Sequence, residues 1–159
     1  MTLEAFFKEN PKTALAFSGG VDSSYLLYAA VQAGAEVRAY YVKTAFQPEF
    51  EYEDAMRLAK QLGAEVTVLR LDALCDPQVA ANPANRCYYC KQDIFGSIWR
   101  AARADGFSVL LDGTNASDQA DDRPGMKALR ELKVRSPLRE AGLTKALIRE
   151  KSRLAGLFT

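Results

Sequence analysis

Residues 15–24 place an apolar run directly before the sequence Ser-Gly-Gly-Val-Asp-Ser-Ser, which is followed by another apolar-rich stretch. This order predicts a buried strand, a tight turn and the first turn of a helix. Glycine has no Cβ, so the backbone of such a turn can approach a ligand closely. The unpaired N–H groups and the dipole of the helix start favour a phosphate there. The candidate ligand-binding residues of this segment are Ala16, Phe17, Ser18, Gly19, Gly20, Val21, Asp22, Ser23 and Ser24.

Two familiar nucleotide motifs do not describe this turn. It lacks the lysine of a Walker A loop and the G-x-G-x-x-G spacing of a dinucleotide-binding fold. A Gly-rich connection with no ligand is the alternative interpretation of the same residues.

The rest of the chain alternates predicted strands and helices, which indicates an α/β fold. We expect one domain over residues 1–159, with a doubly wound, mostly parallel five-stranded sheet and helices on both faces. In such sheets ligands bind beyond the carboxyl ends of the strands, where the strand order reverses. The predicted strands cover residues 13–17, 37–42, 66–71, 109–111 and a short extended piece at 134–138.

A second polar motif, Asp-Gly-Thr-Asn-Ala-Ser-Asp at residues 112–118, follows the fourth predicted strand. Its position puts it at the same sheet edge as the glycine turn, so the two can share one cleft. Mg²⁺ takes one or two carboxylates with waters and substrate oxygens, which makes Asp22, Asp112 and Asp118 candidate ligands. An Asn/Asp-rich turn that only caps the strand is the alternative. Gly113, Thr114 and Asn115 complete the candidate binding residues of this motif.

Cysteine use points to metal or redox chemistry rather than a disulfide framework. Cys87 and Cys90 form a Cys-x-x-Cys at a predicted helix start, a spacing found in iron–sulfur, zinc and dithiol sites. Flanking basic residues and the helix start lower thiol pKa values. Cys75, the third cysteine, is predicted to be a loop residue rather than a ligand.

Charge and composition exclude several classes of protein. A net charge of +1 argues against a basic nucleic-acid surface, and the absence of histidine removes the commonest general base. No apolar run is long enough to span a bilayer, and the start of the chain lacks signal-peptide organisation, so we expect a cytoplasmic protein. Arg123 is a candidate for phosphate or carboxylate binding, or else a solvated turn residue. The same alternatives apply to Lys127 and to Arg135, Lys145 and Arg149, and for each of them a surface charge is favoured over a ligand.

Taken together and in this order, the motifs resemble the ATP-dependent sacrificial sulfur transferases (LarE-like) of the PP-loop ATP pyrophosphatase superfamily. The resemblance rests on residues 18–24, 86–91, 111–118 and 122–125, with Val-Arg-Ser-Pro-Leu at 134–138 and Gly-Leu-Thr-Lys at 142–145. It implies that ATP and Mg²⁺ are bound and that a carboxylate of a pyridinium dicarboxylate mononucleotide is adenylated. Sulfur then replaces AMP, in the synthesis of a nickel-pincer nucleotide.

The resemblance also implies roles for single residues. Asp22, Ser23 and Asp118 would be catalytic, Asp22 and Asp118 would hold magnesium, and Ala16 and Val42 would lie against adenine. Cys87 and Cys90 match the Cys-x-x-Cys of members that carry a [4Fe-4S] cluster. We expect a small-molecule nucleotide substrate and a homo-oligomer.

One departure from the family pattern concerns its later residues. In the family, a further cysteine and a second domain follow the sequence Gly-Leu-Phe-Thr, at which this chain stops, so we expect the chain to correspond to the N-terminal domain. Two alternatives stay open: another ATP pyrophosphatase (an amide-forming synthetase or a tRNA-thiolating enzyme), and an ATP-binding module without turnover.

Overall fold

The centre of the molecule is a sheet of four parallel strands in the spatial order β3-β2-β1-β4. The computed structural model describes residues 2–43, 49–70, 86–117 and 123–157. In chain order the elements are α1 (Leu3–Glu9), β1 (Lys12–Ala16), α2 (Val21–Gln32), β2 (Glu36–Lys43), α3 (Glu49–Leu62), β3 (Glu65–Arg70), α4 (Arg86–Ala104), β4 (Leu110–Leu111), α5 (Arg123–Glu131), α6 (Pro137–Glu140) and α7 (Lys145–Leu154).

The strand order reverses at β1. Leu15 pairs with Ala39 of β2 on one side and with Leu111 of β4 on the other. β2 and β3 extend the sheet in one direction and β4 in the opposite one. The crevice beyond the carboxyl ends of β1 and β4 is therefore the expected ligand position in a sheet of this topology.

Two hydrophobic clusters cover the two faces of the sheet, because successive strand residues point to opposite sides. Leu15 and Tyr41 pack with α1, α2, α3, α6 and α7. Ala14 and Tyr40, each one position earlier, pack with α4 and α5. The predicted doubly wound α/β architecture is thus confirmed.

The prediction of a fifth strand was wrong for the described residues. Arg135 makes only an isolated parallel bridge to Leu111: its N–H donates to the Leu110 carbonyl, and the Asp112 N–H donates to the Arg135 carbonyl, each at 2.9 Å. Two residues later Pro137 begins α6. Proline has no N–H for a ladder and is favoured in a first helical turn, so the extended piece ends there.

Some predictions fall outside the part of the chain that is described. Cys75 and Asp118 both lie there, so the structure says nothing about either side chain. Among the described helices, none is long and apolar enough to cross a membrane.

Candidate active site

One residue of the turn between β1 and α2 has a backbone conformation that only glycine adopts without strain. Gly19 has φ +82°, and a Cβ placed on it would lie 3.0 Å from the Ala55 Cβ of α3. The left-handed conformation and the close approach of α3 both exclude a larger residue. The first predicted motif therefore folds as a strand, a glycine turn and a helix.

Two serines hold this turn from inside. The buried Ser23 Oγ accepts a hydrogen bond from the Ser18 N–H at 3.1 Å and shares another with Ser18 Oγ at 3.0 Å. Ser18 Oγ also accepts from the Gly20 N–H at 3.3 Å. Gly20 is the N-cap of α2 and has no side chain to occupy the helix start. The turn thus leaves the helix N-terminus without a side-chain cap, as an anion-binding site requires.

Gly113 brings the second motif against the first. A Cβ on Gly113 would lie 3.1 Å from the Ser23 backbone nitrogen and 3.3 Å from the Asp22 Cβ. Gly113, the second residue after β4, therefore lies against the backbone of the first turn of α2. The predicted meeting of the two motifs in one cleft is confirmed.

Asp112 fixes the turn after β4. This buried carboxylate accepts from Thr114 Oγ1 at 2.6 Å and from the Thr114 N–H at 3.4 Å, and Ser136 Oγ also donates to it. Such local bonds from an aspartate define the turn conformation. Asp112, although it lines the cleft, has hydroxyl donors on both of its oxygens.

Asp22 and Lys145 form an ion pair in the cleft. Lys145 Nζ lies 2.9 Å from Asp22 Oδ2, and Asn115 Nδ2 donates to the same oxygen at 3.1 Å. The other oxygen, Asp22 Oδ1, is buried and has no hydrogen-bond partner among the described residues. The prediction that Lys145 is a surface charge was wrong, because its side chain lines the cleft and pairs with α2.

The start of α7 positions Lys145. Thr144 caps this helix by accepting from the Leu147 N–H, and the Lys145 N–H donates to Ser117 Oγ at 3.0 Å. The Ala116 N–H in turn donates to the Leu143 carbonyl at 2.8 Å. Residues 115–117 and the start of α7 are thereby tied together beside Asp22.

These elements enclose a cleft of about 420 Å³, within the roughly 300–1,000 Å³ range of small-molecule sites. One side, which we call the polar rim, is formed by Ser18, Gly20, Val21, Asp22, Ser23, Gly113, Thr114 and Lys145. The other side, the apolar wall, is formed by Ala16, Tyr40, Val42, Ile94, Phe95 and Ile98. Phe17 and Asp112 also line the cleft.

Tyr40 is among the residues that line the cleft, but it is fully buried and its hydroxyl is bonded elsewhere. The hydroxyl donates to Asp105 at 2.7 Å, and Asp105 also pairs with Arg38 at 3.3 Å. Burial, followed by the bond to Asp105, raises the pKa of Tyr40 well above its usual value. Tyr40 therefore stays neutral at physiological pH.

Cys87 and Cys90 lie in the first turns of α4. They precede Ile94, a residue of the apolar wall, by seven and four positions. Residues separated by three, four or seven positions share one face of a helix. The helical spacing therefore puts both cysteine positions on the face that continues into the cleft.

Other predicted residues are not brought to the cleft surface. Ser24 is completely buried in α2, and Gly19 and Asn115 do not line the cleft, although Asn115 bonds to Asp22. Arg123 is the first residue of α5, and its side chain is outside the described part.

Sequence reasoning missed most of the apolar wall. Ile94, Phe95 and Ile98 have the spacing of the apolar face of any amphipathic helix, which does not indicate that they line a cleft. Tyr40 had a usable signal, since it lies two positions before Val42 and alternate strand residues share a face.

The described residues offer little for a metal beyond Asp22. Among the side chains that the structure describes, which exclude those of residues 86–91 and 123–126, no three from His, Cys, Asp or Glu group as a metal site. A buried carboxylate oxygen without a partner, as in Asp22 Oδ1, does fit a magnesium ion held mainly by substrate oxygens and water.

Comparisons with known proteins agree with this geometry. A family model described as queuosine biosynthesis protein QueC matches residues 12–84. A pyridinium-3,5-bisthiocarboxylic acid mononucleotide synthase from Lactiplantibacillus plantarum is 35% identical over 98% of the chain and 57% of its own length. The chain is a LarE-like PP-loop domain.

Two further proteins are similar to this LarE-like domain. The protein slr1717 from Synechocystis, of uncharacterised function, is 36% identical over 98% of the chain and 58% of its own length. The structure of the U34-tRNA thiolase NcsA from Methanococcus maripaludis, with its [4Fe-4S] cluster, has a TM-score of 0.69, covers 94% of this chain and 58% of that one, and is 18% identical, which shows a shared fold. The domain spans a little over half the length of these relatives.

Proposed function

We propose that this domain binds ATP with Mg²⁺, transfers AMP to a carboxylate of a pyridinium dicarboxylate mononucleotide, and supports replacement of that AMP by sulfur. The observation that carries the proposal is the glycine turn of residues 18–23, which lies at the strand-order reversal in backbone contact with Gly113. This product class is that of the synthase from L. plantarum, which is 35% identical over 98% of the chain.

The polar rim suits the two phosphates that leave as pyrophosphate. The uncapped start of α2 supplies N–H groups and a favourable dipole for an anion, and the Ser18 hydroxyl adds a donor. The substrate carboxylate attacks the α-phosphorus, and the bond to the bridging oxygen of pyrophosphate breaks. Transfer of this kind depends on positioning and charge stabilisation, and an ionised carboxylate requires no protein base.

The apolar wall suits the base of the nucleotide. Ala16 and Val42, the two residues expected beside adenine, both line it, together with Ile94, Phe95 and Ile98 of α4. An apolar slot with few polar groups is the usual setting for a planar ligand. The cleft thereby offers one end to the base and the other to the phosphates.

Magnesium would be held by Asp22, whose Oδ1 is buried without a partner among the described residues. When bound, the ion would neutralise charge on the phosphate oxygens. Asp118, the second expected ligand, stays a prediction.

The sulfur step is assigned to the start of α4. The positions of Cys87 and Cys90 are on the helical face that continues into the apolar wall, which supports a thiolate or an iron–sulfur cluster at this end of the cleft. Two cysteines supply fewer thiolates than the four of a complete [4Fe-4S] site. Anaerobic reconstitution with iron and sulfide should therefore give a labile cluster, lost in Cys87→Ser; a stable cluster in that variant would remove these residues from the role.

Product analysis tests the proposal. The chain is incubated with Mg-ATP and either the pyridinium dicarboxylate mononucleotide or its decarboxylated analogue, and nucleotides are identified by mass spectrometry. We expect equal amounts of AMP and pyrophosphate that depend on the carboxylate. Release of ADP and phosphate would contradict the proposal.

The same assay separates the alternatives. Pyrophosphate release that requires ammonia, or release that requires tRNA, would assign another ATP pyrophosphatase reaction. Tight Mg-ATP binding without products from any acceptor would identify a binding module. Cytoplasmic location and a homo-oligomer stay predictions.

A further inference from the structure

The candidate site contains a cation that the phosphate-binding turn itself lacks. The turn has no lysine, yet Lys145 of α7 faces it across the cleft. Among the described residues that line the cleft, Lys145 is the one with a positively charged side chain. Its partner is Asp22 of the turn, at 2.9 Å.

We propose that Lys145 exchanges partners when nucleotide binds: it leaves the Asp22 carboxylate and pairs with the departing phosphates of ATP. This inference rests on the proposed function, because it requires a triphosphate on the polar rim. Lys145 is then a phosphate-binding residue, and Asp22 positions the Lys145 side chain before the nucleotide binds.

The charge balance of the cleft supports the exchange. In the structure the Lys145 ammonium and the Asp22 carboxylate neutralise each other. A magnesium ion on Asp22 would take over the neutralisation of that carboxylate and leave the ammonium without a partner. Mg-ATP brings further negative charge, and the ammonium is the nearest described cation able to meet it.

The geometry also allows the exchange. Lysine has a flexible four-carbon stem and three donors, so it can change acceptors without backbone movement. The Lys145 backbone is fixed by its N–H bond to Ser117 Oγ and by the Thr144 cap. The side chain is about a third exposed, so it is not locked by packing.

The two carboxylate oxygens of Asp22 differ in their hydrogen-bond partners. Oδ2 already has two donors, Lys145 Nζ and Asn115 Nδ2, whereas the buried Oδ1 has none in the described part of the chain. Asn115 can keep the carboxylate in place after the lysine leaves. Metal binding at Asp22 and phosphate binding by Lys145 should therefore reinforce each other.

Calorimetric titration with inorganic pyrophosphate and with ATP, each with and without Mg²⁺, tests the exchange. In Lys145→Met the affinity for Mg-ATP should fall by about 10- to 100-fold, the usual range for loss of a charged hydrogen bond. Lys151→Met, the same change further along α7, should stay within about twofold of the unaltered chain. Lys145→Arg keeps the charge and should retain part of the affinity.

The direction of change in metal-free pyrophosphate affinity is a second test, and the exchange predicts an increase when Asp22 loses its charge. Without Mg²⁺, Asp22→Asn should bind pyrophosphate at least about threefold more tightly than the unaltered chain, because the lysine is released and a repelling charge is removed. The double variant Asp22→Asn/Lys145→Met should lose that gain. Circular dichroism of each variant verifies that it is folded.

The outcomes separate this inference from the proposed function. If the unaltered chain binds neither Mg-ATP nor pyrophosphate, both fail. If it binds Mg-ATP but Lys145→Met binds equally well, or if Asp22→Asn weakens metal-free pyrophosphate binding, the exchange is wrong and the nucleotide site stands.

Discussion

The polar rim and the apolar wall bound the same cleft but are built by different means. The rim is made by backbone: a Cβ added to Gly19 or Gly113 would lie only 3.0 or 3.1 Å from its nearest neighbour, and the Ser18 and Ser23 hydroxyls bond to the turn itself. The wall is made by side chains of β2 and α4 packed on the sheet. The rim thus tolerates almost no change of residue, whereas the wall tolerates changes that conserve apolar volume.

The largest expected effect concerns the contact that joins the two motifs of the rim. In Gly113→Ala the new Cβ meets the Ser23 backbone nitrogen, which cannot give way as a flexible side chain can. We expect a loss of about 100-fold in ATP affinity, the scale associated with ångström misplacement of a binding group. Titration of ATP measures it.

Gly96→Ala in α4 is the control for this variant, because a Cβ there meets nothing within 4 Å. That change should stabilise the chain by about 0.5–1 kcal/mol through helix propensity. Equal ATP affinity in the two variants would show that the rim does not depend on the Gly113 contact.

Adjacent serines give the next comparison. Ser23→Ala removes the acceptor of the Ser18 N–H and should destabilise the chain by about 1–3 kcal/mol and weaken ATP binding about tenfold. Ser24→Ala removes a buried hydroxyl that has no partner among the described residues, so its effect on unfolding should be near zero. Urea unfolding and ATP titration of both variants test this comparison. A larger loss of stability and ATP affinity in Ser24→Ala than in Ser23→Ala would show that the Ser24 hydroxyl, and not that of Ser23, supports the site.

A smaller loss of ATP affinity is expected for a change in the apolar wall than for a change in the polar rim. Ile94→Ala removes apolar surface from the cleft and should weaken ATP binding by about 5- to 10-fold, from the loss of roughly 1 kcal/mol of apolar contact. Pyrophosphate, which has no base, should bind as before. An equal loss for both ligands would mean that the wall and the rim do not divide the nucleotide as proposed.

The smallest effect is a pH dependence of stability. Burial raises the pKa of Tyr40 in the folded chain, whereas in the unfolded chain tyrosine ionises near pH 10. The neutral form therefore stabilises the fold below about pH 10, and this contribution is lost as the pH rises further.

In Tyr40→Phe the decline of the urea midpoint between about pH 9.5 and 11.5 should be shallower than in the unaltered chain. Burial also raises the pKa of Tyr41, so part of the decline should remain. An unchanged decline would show that Tyr40 ionises equally easily in the folded state.

The difference between the two regions also explains what sequence could predict. The rim follows from local rules: a strand, two glycines and a helix start specify the turn, and parallel topology specifies that Gly113 arrives beside it. The sheet and its two covered faces follow from the alternation of strands and helices in the same way.

The wall and Lys145 could not be found by these rules. Ile98 and Phe95 have the spacing of any amphipathic helix, and only the packing of α4 on Tyr40 shows which part of that face stays open. Lys145 lies 123 positions from Asp22, and no local pattern distinguishes it from a surface lysine. The supposed fifth strand failed because Pro137 begins a helix where apolar spacing indicated an extended segment.

The proposed cleft holds a nucleotide with its base on the apolar wall and its leaving phosphates on the polar rim. Titration of AMP and of pyrophosphate on the same chain tests this division of the cleft. In the presence of Mg²⁺, we predict that each ligand binds with one site per chain, that saturating AMP leaves pyrophosphate binding in place, and that ATP competes with both. Mutually exclusive binding of AMP and pyrophosphate, or no binding of pyrophosphate, would contradict the account.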